Sequence, residues 1–222
     1  MRGRFITFEG GEGAGKSTQA RLLAQSLRAD RREVLVTREP GGSPGAEAIR
    51  HILLSGAAKP LGVDAEAILF AAARADHVSR VIEPALAAGK SVLCDRFADS
   101  TRAYQGILGN VDIRVINGLE RIAVGDTRPD LTLILDLPPE IGLARATLRR
   151  GQDEPDRFEA EALDFHGRLR EAYRAIAAQQ PHRCVVVDAC GDPEQIADAI
   201  WRVVCARFEE AAPDMRRAVA AL

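Results

Sequence analysis

The sequence has no large excess of charge of either sign. Its 30 Lys and Arg residues are nearly balanced by 32 Asp and Glu residues, which gives a formal net charge of −2 and an isoelectric point of about 6.1. Such a balance provides no electrostatic footprint for duplex nucleic acid, although it is compatible with a local basic pocket. We therefore expect no nucleic-acid partner.

Long hydrophobic runs, repeats and low-complexity segments are also missing. No apolar stretch approaches the ~18 residues that a membrane span requires, and the first residues lack the apolar segment of a secretory signal. Hydrophobic residues at 46% and charged residues at 28% are close to the averages of globular proteins. We expect a cytoplasmic protein that does not act at a membrane.

The few cysteines do not form a metal motif. Cys94, Cys184, Cys190 and Cys205 include no C-x-x-C pair, and no His is spaced to complete a zinc site. Buried free thiols are favoured over a ligand or redox role.

What the sequence does contain is a glycine-rich stretch, G-G-E-G-A-G-K-S-T, at Gly10–Thr18. It fits the phosphate-loop template G-x-x-x-x-G-K-[ST]. An apolar strand predicted at 4–9 precedes the stretch, and an amphipathic helix predicted at 19–27 follows it. The defining positions of the template are Gly10, Gly15, Lys16 and Ser17. This order of strand, glycine loop and helix favours a phosphate-binding site over an incidental glycine-rich turn.

The spacing of the loop has a physical reason. Glycines let successive backbone N–H groups turn inward around a polyphosphate, and the helix N-terminus adds partial positive charge. Lys16 is expected to reach the β- and γ-phosphates of ATP, and the Ser17 hydroxyl to ligate Mg²⁺. The residues predicted to bind ATP here are Gly10, Gly11, Glu12, Gly13, Ala14, Gly15, Lys16, Ser17 and Thr18.

Charged residues follow two further predicted strands. Arg38 and Glu39 come after the strand at 33–37, and ligands of open α/β sheets gather at such strand ends. The alternative is a solvated turn with an incidental ion pair. Asp95 follows the strand at 90–94, where a ligand of Mg²⁺ or its bound water is expected in a chain with a phosphate loop.

The longest helical pattern covers 65–88, and Pro84 is expected to kink its last turns. Phe70, Arg74 and His77 fall on one stripe of this helix. An aromatic ring and a guanidinium on one face can stack on and hydrogen-bond a planar base. The alternative places Phe70 in the core and Arg74 on the surface.

The remaining elements complete an alternating pattern of strands and helices. Strands are predicted at 131–137 and 184–187, and helices at 46–54, 112–124, 141–150, 162–178 and 193–208. The strand at 131–137 should lie centrally because it is the most hydrophobic. It could also be the strand of a second nucleotide motif, with Asp136 as the metal-site acid, but Pro138-Pro139 favours a strand that simply ends. We predict one α/β domain over 1–222, a parallel sheet with helices on both faces.

Arginines flank a break that contains Gly and Pro. Arg145, Arg149 and Arg150 precede 151–156, and Arg157 follows it. Charge runs are usually solvated surface, but this composition is typical of a mobile flap that closes positive charge over phosphates. We predict such a flap at about 145–159.

Three classes of phosphate-loop protein compete as interpretations of this sequence. A switch GTPase would carry N-K-x-D, which is absent, and the flap favours an enzyme that must exclude water. A kinase for another nucleoside monophosphate remains the nearest alternative. A nucleotide-dependent switch or binding module that acts through a partner is the alternative from another class.

The ordered motifs resemble those of the thymidylate kinase family. The matching stretches are F-E-G-G-E-G-A-G-K-S-T-Q, T-R-E-P-G-G, L-F-A-A-A-R-A-D-H, D-R-F-A-D-S-T-R-A-Y-Q-G, R-P-D-L-T-L-I-L-D and the flap. They span residues 5–159 in the family's order. The resemblance implies the nucleoside monophosphate kinase fold and transfer of the γ-phosphate of ATP to dTMP, with Mg²⁺, in dTTP biosynthesis. It also implies a homodimer formed by helices packed face to face.

The resemblance further implies roles for single residues around the acceptor. Phe70 would stack on thymine, Arg74 would hydrogen-bond its exocyclic oxygen, and Tyr104 would exclude a 2′-hydroxyl. Glu12 would face the sugar 3′-hydroxyl. Arg38 and Arg96 would hold the phosphate, Thr101 and Gln105 would approach the base, and Ser100 is a further implied substrate ligand. The implied Mg²⁺ site contains Ser17, Glu9 and Asp95.

The flap decides between two branches of the family, one with its catalytic arginine in the phosphate loop and one with it in the flap. Because E-G-A-G-K contains no arginine, the flap branch is implied. The catalytic set is then Lys16, Arg96, Arg149, Arg150 and Arg157, with Arg145 at ATP. Segment 188–193 would line the adenine site. Phe97 departs from the Tyr or His that often follows the Asp-Arg pair, which puts a polar role there in doubt.

Overall fold

A single sheet of parallel strands organises the chain. The structure, a computed structural model, describes residues 2–151 and 157–208. Within these ranges the strands are β1 Phe5–Gly10, β2 Val34–Arg38, β3 Ser91–Asp95, β4 Leu131–Asp136 and β5 Cys184–Asp188. Their order across the sheet is β2-β3-β1-β4-β5, and each neighbouring pair is parallel. The predicted parallel sheet is confirmed.

The centre of the sheet is β1 rather than β4. Both strands are internal, but β1 lies between β3 and β4, whereas β4 lies between β1 and β5. All six residues of β1 are buried, including Thr7, whose hydroxyl lies 2.8 Å from that of Thr132 on β4. The prediction that 131–137 holds the central position is therefore inexact. A polar residue can occupy the centre because a neighbouring strand supplies its hydrogen-bond partner.

Helices cover both faces of the sheet. The bounds are α1 Lys16–Ala29, α2 Pro44–Leu54, α3 Val63–His77, α4 Glu83–Ala87, α5 Ala98–Thr101, α6 Ile113–Val124, α7 Pro139–Arg150, α8 Leu163–Gln179 and α9 Pro193–Phe208. On one face, Ile6 and Phe8 of β1 join a core that includes Leu23 of α1 and Ile196 of α9. Phe5 belongs to the opposite core, as the alternation of side chains along a strand requires.

The predicted helix at 65–88 is interrupted just before Pro84. Val78–Ile82 forms a π-helical turn between α3 and α4. Proline lacks a backbone N–H, and its ring clashes with the carbonyl of residue i−4, here Arg80. A wider turn at this point accommodates both effects and lets the chain continue into α4.

Residues 98–108 are helical although the stretch is rich in polar and aromatic residues. A short 3₁₀ turn, Lys59–Leu61, lies in the predicted loop at 55–64. Helix α5 continues into a π-helical segment, Arg102–Leu108. π-Helical turns are rare and concentrate at functional sites. This one carries Tyr104 and Gln105, two of the predicted acceptor ligands.

Other predictions are only partly covered by the described chain. Of the predicted flap, residues 152–156 lie outside the described residues, as does the tail 211–222. None of the four cysteines, all of which lie in the described ranges, forms a disulfide; Cys94 and Cys184 are buried as predicted, Cys205 is half-buried and Cys190 is exposed. Among the described helices, none is long and apolar enough to cross a membrane.

Candidate active site

The phosphate loop joins the end of β1 to the start of α1. Gly10, Gly13 and Gly15 all have positive φ, which glycine adopts without strain. At Gly13 a Cβ atom would lie 1.9 Å from the carbonyl oxygen of Gly142 on α7. The loop therefore needs glycine both for its turns and for its close approach to α7.

Lys16 lies over this loop. Its ammonium group donates to the carbonyls of Gly10 at 3.2 Å and Gly11 at 2.7 Å. Burial lowers the pKa of Lys16, and the positive charge of Arg96 acts in the same direction. An anion bound in the loop would offset both effects by supplying a negative partner.

Ser17 and Asp95 meet at the mouth of the loop. The Ser17 hydroxyl donates to a carboxylate oxygen of Asp95, 78 positions away in sequence. The contact arises because β1 and β3 are neighbours, so the carboxyl ends of both strands reach one edge of the sheet. The pair places a hydroxyl and a carboxylate oxygen together, as predicted for a Mg²⁺ site.

A cavity of about 340 Å³ extends from the phosphate loop to Phe70 and Tyr104. The predicted site residues that line it are Glu12, Gly13, Gly15, Lys16, Ser17, Thr18, Arg38, Phe70, Asp95, Arg96, Ser100, Thr101, Tyr104, Gln105 and Arg149. Those outside its lining are Glu9, Gly10, Gly11, Ala14, Arg74, Arg145, Arg150 and Arg157. Lining residues without a predicted binding role are Pro40, Arg50, Leu54, Phe158 and Glu159. Glu39, singled out with Arg38 at the strand end, also lines it.

Arg96 connects the two ends of the cavity. Its guanidinium donates to Glu12 at 2.5 Å and lies 5.3 Å from the ring centroid of Tyr104. The Tyr104 hydroxyl donates to the same Glu12 oxygen at 3.1 Å. Burial alone would raise the pKa of Glu12, but the charges of Arg96 and Lys16 outweigh burial and lower it to about 2. Glu12 is therefore a carboxylate at neutral pH.

Glu9 is buried behind the cavity. Its carboxylate accepts hydrogen bonds from the backbone N–H of Phe97 at 2.8 Å, the Ser100 hydroxyl at 2.6 Å and the Tyr173 hydroxyl at 3.2 Å. Burial, followed by the charge of Asp99, raises the pKa of Glu9 to about 7. Both carboxylate oxygens have protein donors, so the structure gives Glu9 a different environment from the predicted Mg²⁺ ligand Asp95.

Arg74 is buried, against the alternative that placed it on the surface. Its guanidinium donates to Glu39 at 2.7 Å, to Thr101 at 3.2 Å and to the carbonyl of Phe97 at 3.1 Å. Phe70, one turn earlier on α3, is only half-buried and lines the cavity. The alternative placed Phe70 in the core and Arg74 on the surface. The structure instead buries Arg74 and leaves Phe70 partly exposed at the cavity.

The flap arginines pair with glutamates. Arg149 and Arg150 donate to the two carboxylate oxygens of Glu159, at 3.0 and 2.7 Å. Arg157 donates to the buried Glu66 of α3. Of these three arginines only Arg149 lines the cavity.

The ring of Phe158 lines the cavity, a role that sequence analysis did not predict. Its ring centroid lies 5.2 Å from that of Tyr104 and 6.3 Å from that of Phe70. These contacts join positions more than 50 residues apart, and no local motif marks them. The third ring narrows the end of the cavity that already contains two aromatic side chains.

Two further predictions concern the ends of β4 and β5. Arg145 donates to the carbonyls of Ala189 and Cys190, at 3.0 and 3.3 Å, which places it beside the predicted adenine segment. Asp136 accepts from both ends of the Arg170 guanidinium, at 2.7 and 2.9 Å. Because Arg170 occupies both carboxylate oxygens, Asp136 is a structural ion-pair partner, which agrees with a strand that simply ends.

Comparisons with known proteins decide the family. The family model described as thymidylate kinase matches residues 8–200. The chain belongs to the thymidylate kinase family. The matched range includes the phosphate loop, α3, the Asp95-Arg96 pair and the sequence of the predicted flap.

Individual relatives agree over nearly the full chain. A thymidylate kinase from Rhodopseudomonas palustris is 65% identical over 213 residues, covering 96% of this chain and 93% of the relative. One from Nitrobacter winogradskyi is 64% identical over 201 residues, covering 90% and 87%. The crystal structure of thymidylate kinase from Ehrlichia chaffeensis matches with a TM-score of 0.74 at 32% identity, covering 92% of this chain and all of that one.

The resemblance predicted from the motifs is thus confirmed, together with the phosphate-loop nucleoside monophosphate kinase fold. The activity that follows from family membership is phosphorylation of dTMP to dTDP with ATP as donor. This activity excludes the alternatives of a binding module and of a switch protein.

Proposed function

We propose that the cavity beside the phosphate loop holds both nucleotides end to end, with ATP on the phosphate loop and dTMP between Phe70 and Tyr104. The observation that supports this arrangement is the continuity of the cavity lining from Lys16 to Phe70. Arg96 touches both ends, through Glu12 and through the Tyr104 ring. An in-line transfer needs this geometry because the two phosphates must meet between the two nucleoside sites.

Arg38 and Arg96 hold the phosphate of dTMP. Both line the cavity, and Arg38 keeps its position through an exposed ion pair with Glu47 at 3.1 Å. The second pKa of a phosphate monoester is about 6, so the attacking oxygen is largely ionised at neutral pH. The site therefore needs no general base, and its task is to bring two anions together.

The sugar and the base meet the aromatic end. Tyr104 packs where a 2′-hydroxyl would lie, and Glu12 accepts from the 3′-hydroxyl. Phe70 stacks on thymine, while Ser100, Thr101 and Gln105 approach it from the segment that contains the π-helical turn. A direct hydrogen bond from Arg74 to the base requires Arg74 to exchange one of its contacts with Thr101.

The residues at the mouth of the loop fit Mg²⁺. Ser17 and Asp95 offer hard oxygen donors, and no group of three His, Cys, Asp or Glu residues in the described ranges forms a complete protein cage. Mg²⁺ typically takes one or two protein oxygens together with phosphates and water. Ser17 and Asp95 would hold the ion, which neutralises phosphate charge when bound. Glu9 stays a prediction from the resemblance.

The flap supplies the catalytic arginines. Arg149 lines the cavity, and Arg150 lies beside it with its Nε buried and without a hydrogen-bond partner in the described chain. Both now pair with Glu159. We propose that they turn to the transferred phosphoryl group when ATP binds, and that Arg157 leaves Glu66 and acts with them.

A substrate panel tests the acceptor site. Purified protein is supplied with ATP and Mg²⁺ and then with dTMP, ribose TMP, dUMP or dCMP. We expect dTMP to have the highest kcat/KM. Ribose TMP should have a higher KM because Tyr104 occupies the space of its 2′-hydroxyl. The kcat/KM of dCMP should be the lowest because its exocyclic group is a hydrogen-bond donor. Equal rates with dTMP and ribose TMP would contradict the role of Tyr104.

We also propose that the enzyme is a cytoplasmic homodimer. Support for the dimer comes from large apolar side chains exposed on α3 and α6, among them Ile68, Val115 and Ile122. Contiguous exposed apolar surface is typical of subunit interfaces.

A further inference from the structure

Tyr173 of α8 lies directly behind Arg96, although no motif drew attention to it. Its side chain is buried, with 1% of its surface exposed, in the core between α8 and the sheet. The hydroxyl is the only polar part of the ring, and it points to a cluster of three polar groups at the ends of β1 and β3. These groups are the Arg96 guanidinium, the Ser100 hydroxyl and the Glu9 carboxylate.

The hydrogen bonds of Arg96 show what the hydroxyl does. Nη1 carries two N–H groups and meets two acceptors at 3.1 Å, the carbonyl of Gly10 and the hydroxyl of Tyr173. A third acceptor, the Ser100 hydroxyl, is more distant at 3.4 Å. Nη2 donates to Glu12 at 2.5 Å. The planar guanidinium is thus fixed at both ends, and Tyr173 supplies one of the two fixed points at Nη1.

The other hydrogen bonds of the Tyr173 hydroxyl leave it free to accept from Arg96. Ser100 donates to Glu9 at 2.6 Å, and the Tyr173 hydroxyl donates to Glu9 at 3.2 Å or shares its proton with Ser100 at 2.9 Å. Its proton is therefore directed away from Arg96, and its lone pairs accept from Nη1. The backbone of Arg96 has φ +67°, which a non-glycine residue adopts only when the surrounding structure enforces it.

We infer that Tyr173 is a positioning residue that orients Arg96 toward the phosphate of dTMP through its hydroxyl. The inference rests on the proposed role of Arg96 at that phosphate. Tyr173 itself touches neither nucleotide, because it does not line the cavity. Its contribution is the orientation of one guanidinium, so its loss should weaken ligands that carry the phosphate and spare those that lack it.

Thymidine supplies that comparison because it is dTMP without the phosphate. Dissociation constants for dTMP and thymidine are measured by calorimetry for the wild type and for Tyr173→Phe, which keeps the ring and removes the hydroxyl. We expect dTMP to bind about tenfold more weakly. This loss of affinity is near the lower end of the range for one lost hydrogen bond to a charged group. Thymidine affinity should change by less than about twofold.

Thr7→Val is the matched control. It also removes one buried hydroxyl from the same region of the sheet, where Thr7 pairs with Thr132 and not with Arg96. Thermal unfolding of both variants reports the stability loss that they should share. The control should bind both ligands as the wild type does.

Arg96→Lys separates the two steps of the argument. If Tyr173 acts through Arg96, adding Tyr173→Phe to Arg96→Lys should weaken dTMP binding by less than about twofold further. Equal weakening of dTMP and thymidine by Tyr173→Phe, or none of either, overturns the inference while Arg96 keeps its role. If Arg96→Lys itself shows no selective loss of dTMP, the phosphate role of Arg96 is wrong, and the inference falls with it.

Discussion

At the scale of single residues, Glu9 has the most unusual environment. It is fully buried, and its pKa is raised from 4.5 to about 7. An acid with a raised pKa binds more protons in the folded than in the unfolded state between those two values. The free energy of unfolding therefore falls as pH rises from about 4.5 to 7.

Glu9→Gln tests this sign. Glutamine keeps the shape of the protonated acid but cannot ionise, so wild type and variant should be similarly stable at about pH 4, below the ordinary pKa of the acid. At pH 8 the free energy of unfolding of the wild type should be lower than that of the variant by on the order of 3 kcal/mol, the equivalent of a shift of about 2.5 in pKa. Urea unfolding at the two pH values measures the difference. A pH-independent gap between the two proteins would show that Glu9 ionises normally.

Phe70 allows a second prediction at this scale. Stacking of a base on an aromatic side chain contributes about 1–3 kcal/mol, so Phe70→Ala should raise the KM for dTMP roughly 5- to 150-fold. The KM for ATP should change little because the phosphate loop is at the other end of the cavity. Ile52→Ala, at an exposed position of α2, is the control and should keep both KM values. Initial rates at varied dTMP decide the matter, and an unchanged KM in Phe70→Ala would place thymine elsewhere.

Residue identities could be predicted where a motif fixed them and not where packing did. The phosphate loop and the Asp95-Arg96 pair are local patterns, and most of the predicted residues there line the cavity. The burial of Arg74, the Tyr173 hydroxyl behind Arg96 and the Phe158 ring in the cavity lining all depend on contacts between elements distant in sequence. No spacing rule in one sequence contains that information.

At the scale of elements, the approach of α7 to the phosphate loop is as close as the backbone permits. A Cβ on Gly142 would lie 2.3 Å from the carbonyl oxygen of Glu12. Gly142→Ala must therefore separate α7 from the loop, and overpacking of this kind costs about 1–3 kcal/mol. We expect lower stability and a higher KM for ATP.

Gly118→Ala is the matched substitution. Gly118 is also within a helix, α6, but a Cβ there meets no atom within 4 Å. Alanine should stabilise this helix slightly because it restricts the unfolded chain. Denaturant unfolding and ATP kinetics of the two variants provide the test. Equal behaviour would show that the contact between α7 and the loop relaxes without cost.

The arginines of the predicted flap are the proposed catalytic groups on a second element. Arginines that neutralise a transferred phosphoryl group contribute about 10³ to 10⁵ in rate in comparable reactions. Arg150→Ala should therefore lower kcat far more than it weakens dTMP binding, because the proposed partner of Arg150 is the transferred phosphoryl group and not dTMP. Arg157→Ala is made in parallel, since Arg157 is bound to Glu66. Steady-state kinetics together with dTMP titrations measure both effects, and wild-type activity in both variants would refute the flap assignment.

Element boundaries and types followed the sequence closely, except where proline or π-helical geometry intervened. The terminal helix was predicted and observed at 193–208, and the five strands agree to within one or two residues. The π-helical turns at Val78–Ile82 and Arg102–Leu108 were not predictable in kind. Both depend on a widened hydrogen-bond pattern, and the hydrophobic period of the sequence does not distinguish that pattern from an ordinary helix.

At the scale of the whole molecule, the sheet order explains why one edge carries the chemistry. Because β1 is flanked by β3 and β4, the phosphate loop lies beside Asp95 and Arg96, and β2 brings Arg38 to the same edge. The order of neighbours is a global property that the sequence pattern alone does not give. The carboxyl ends of parallel strands then converge on one crevice, where α/β proteins bind their ligands.

The last prediction concerns assembly. Val115 and Ile122 are seven residues apart on α6 and thus share a stripe, and Ile122 has 80% of its surface exposed. A symmetric dimer would bury the same stripe in both copies, so one substitution alters the interface twice. Ile122→Glu should therefore shift the mass measured by light scattering after gel filtration from two chains to one. Leu148→Glu, at an equally exposed leucine of α7, should leave the dimer intact. A wild-type protein that elutes as one chain at micromolar concentration would contradict the proposed dimer, because the two-fold interface would then not form at all.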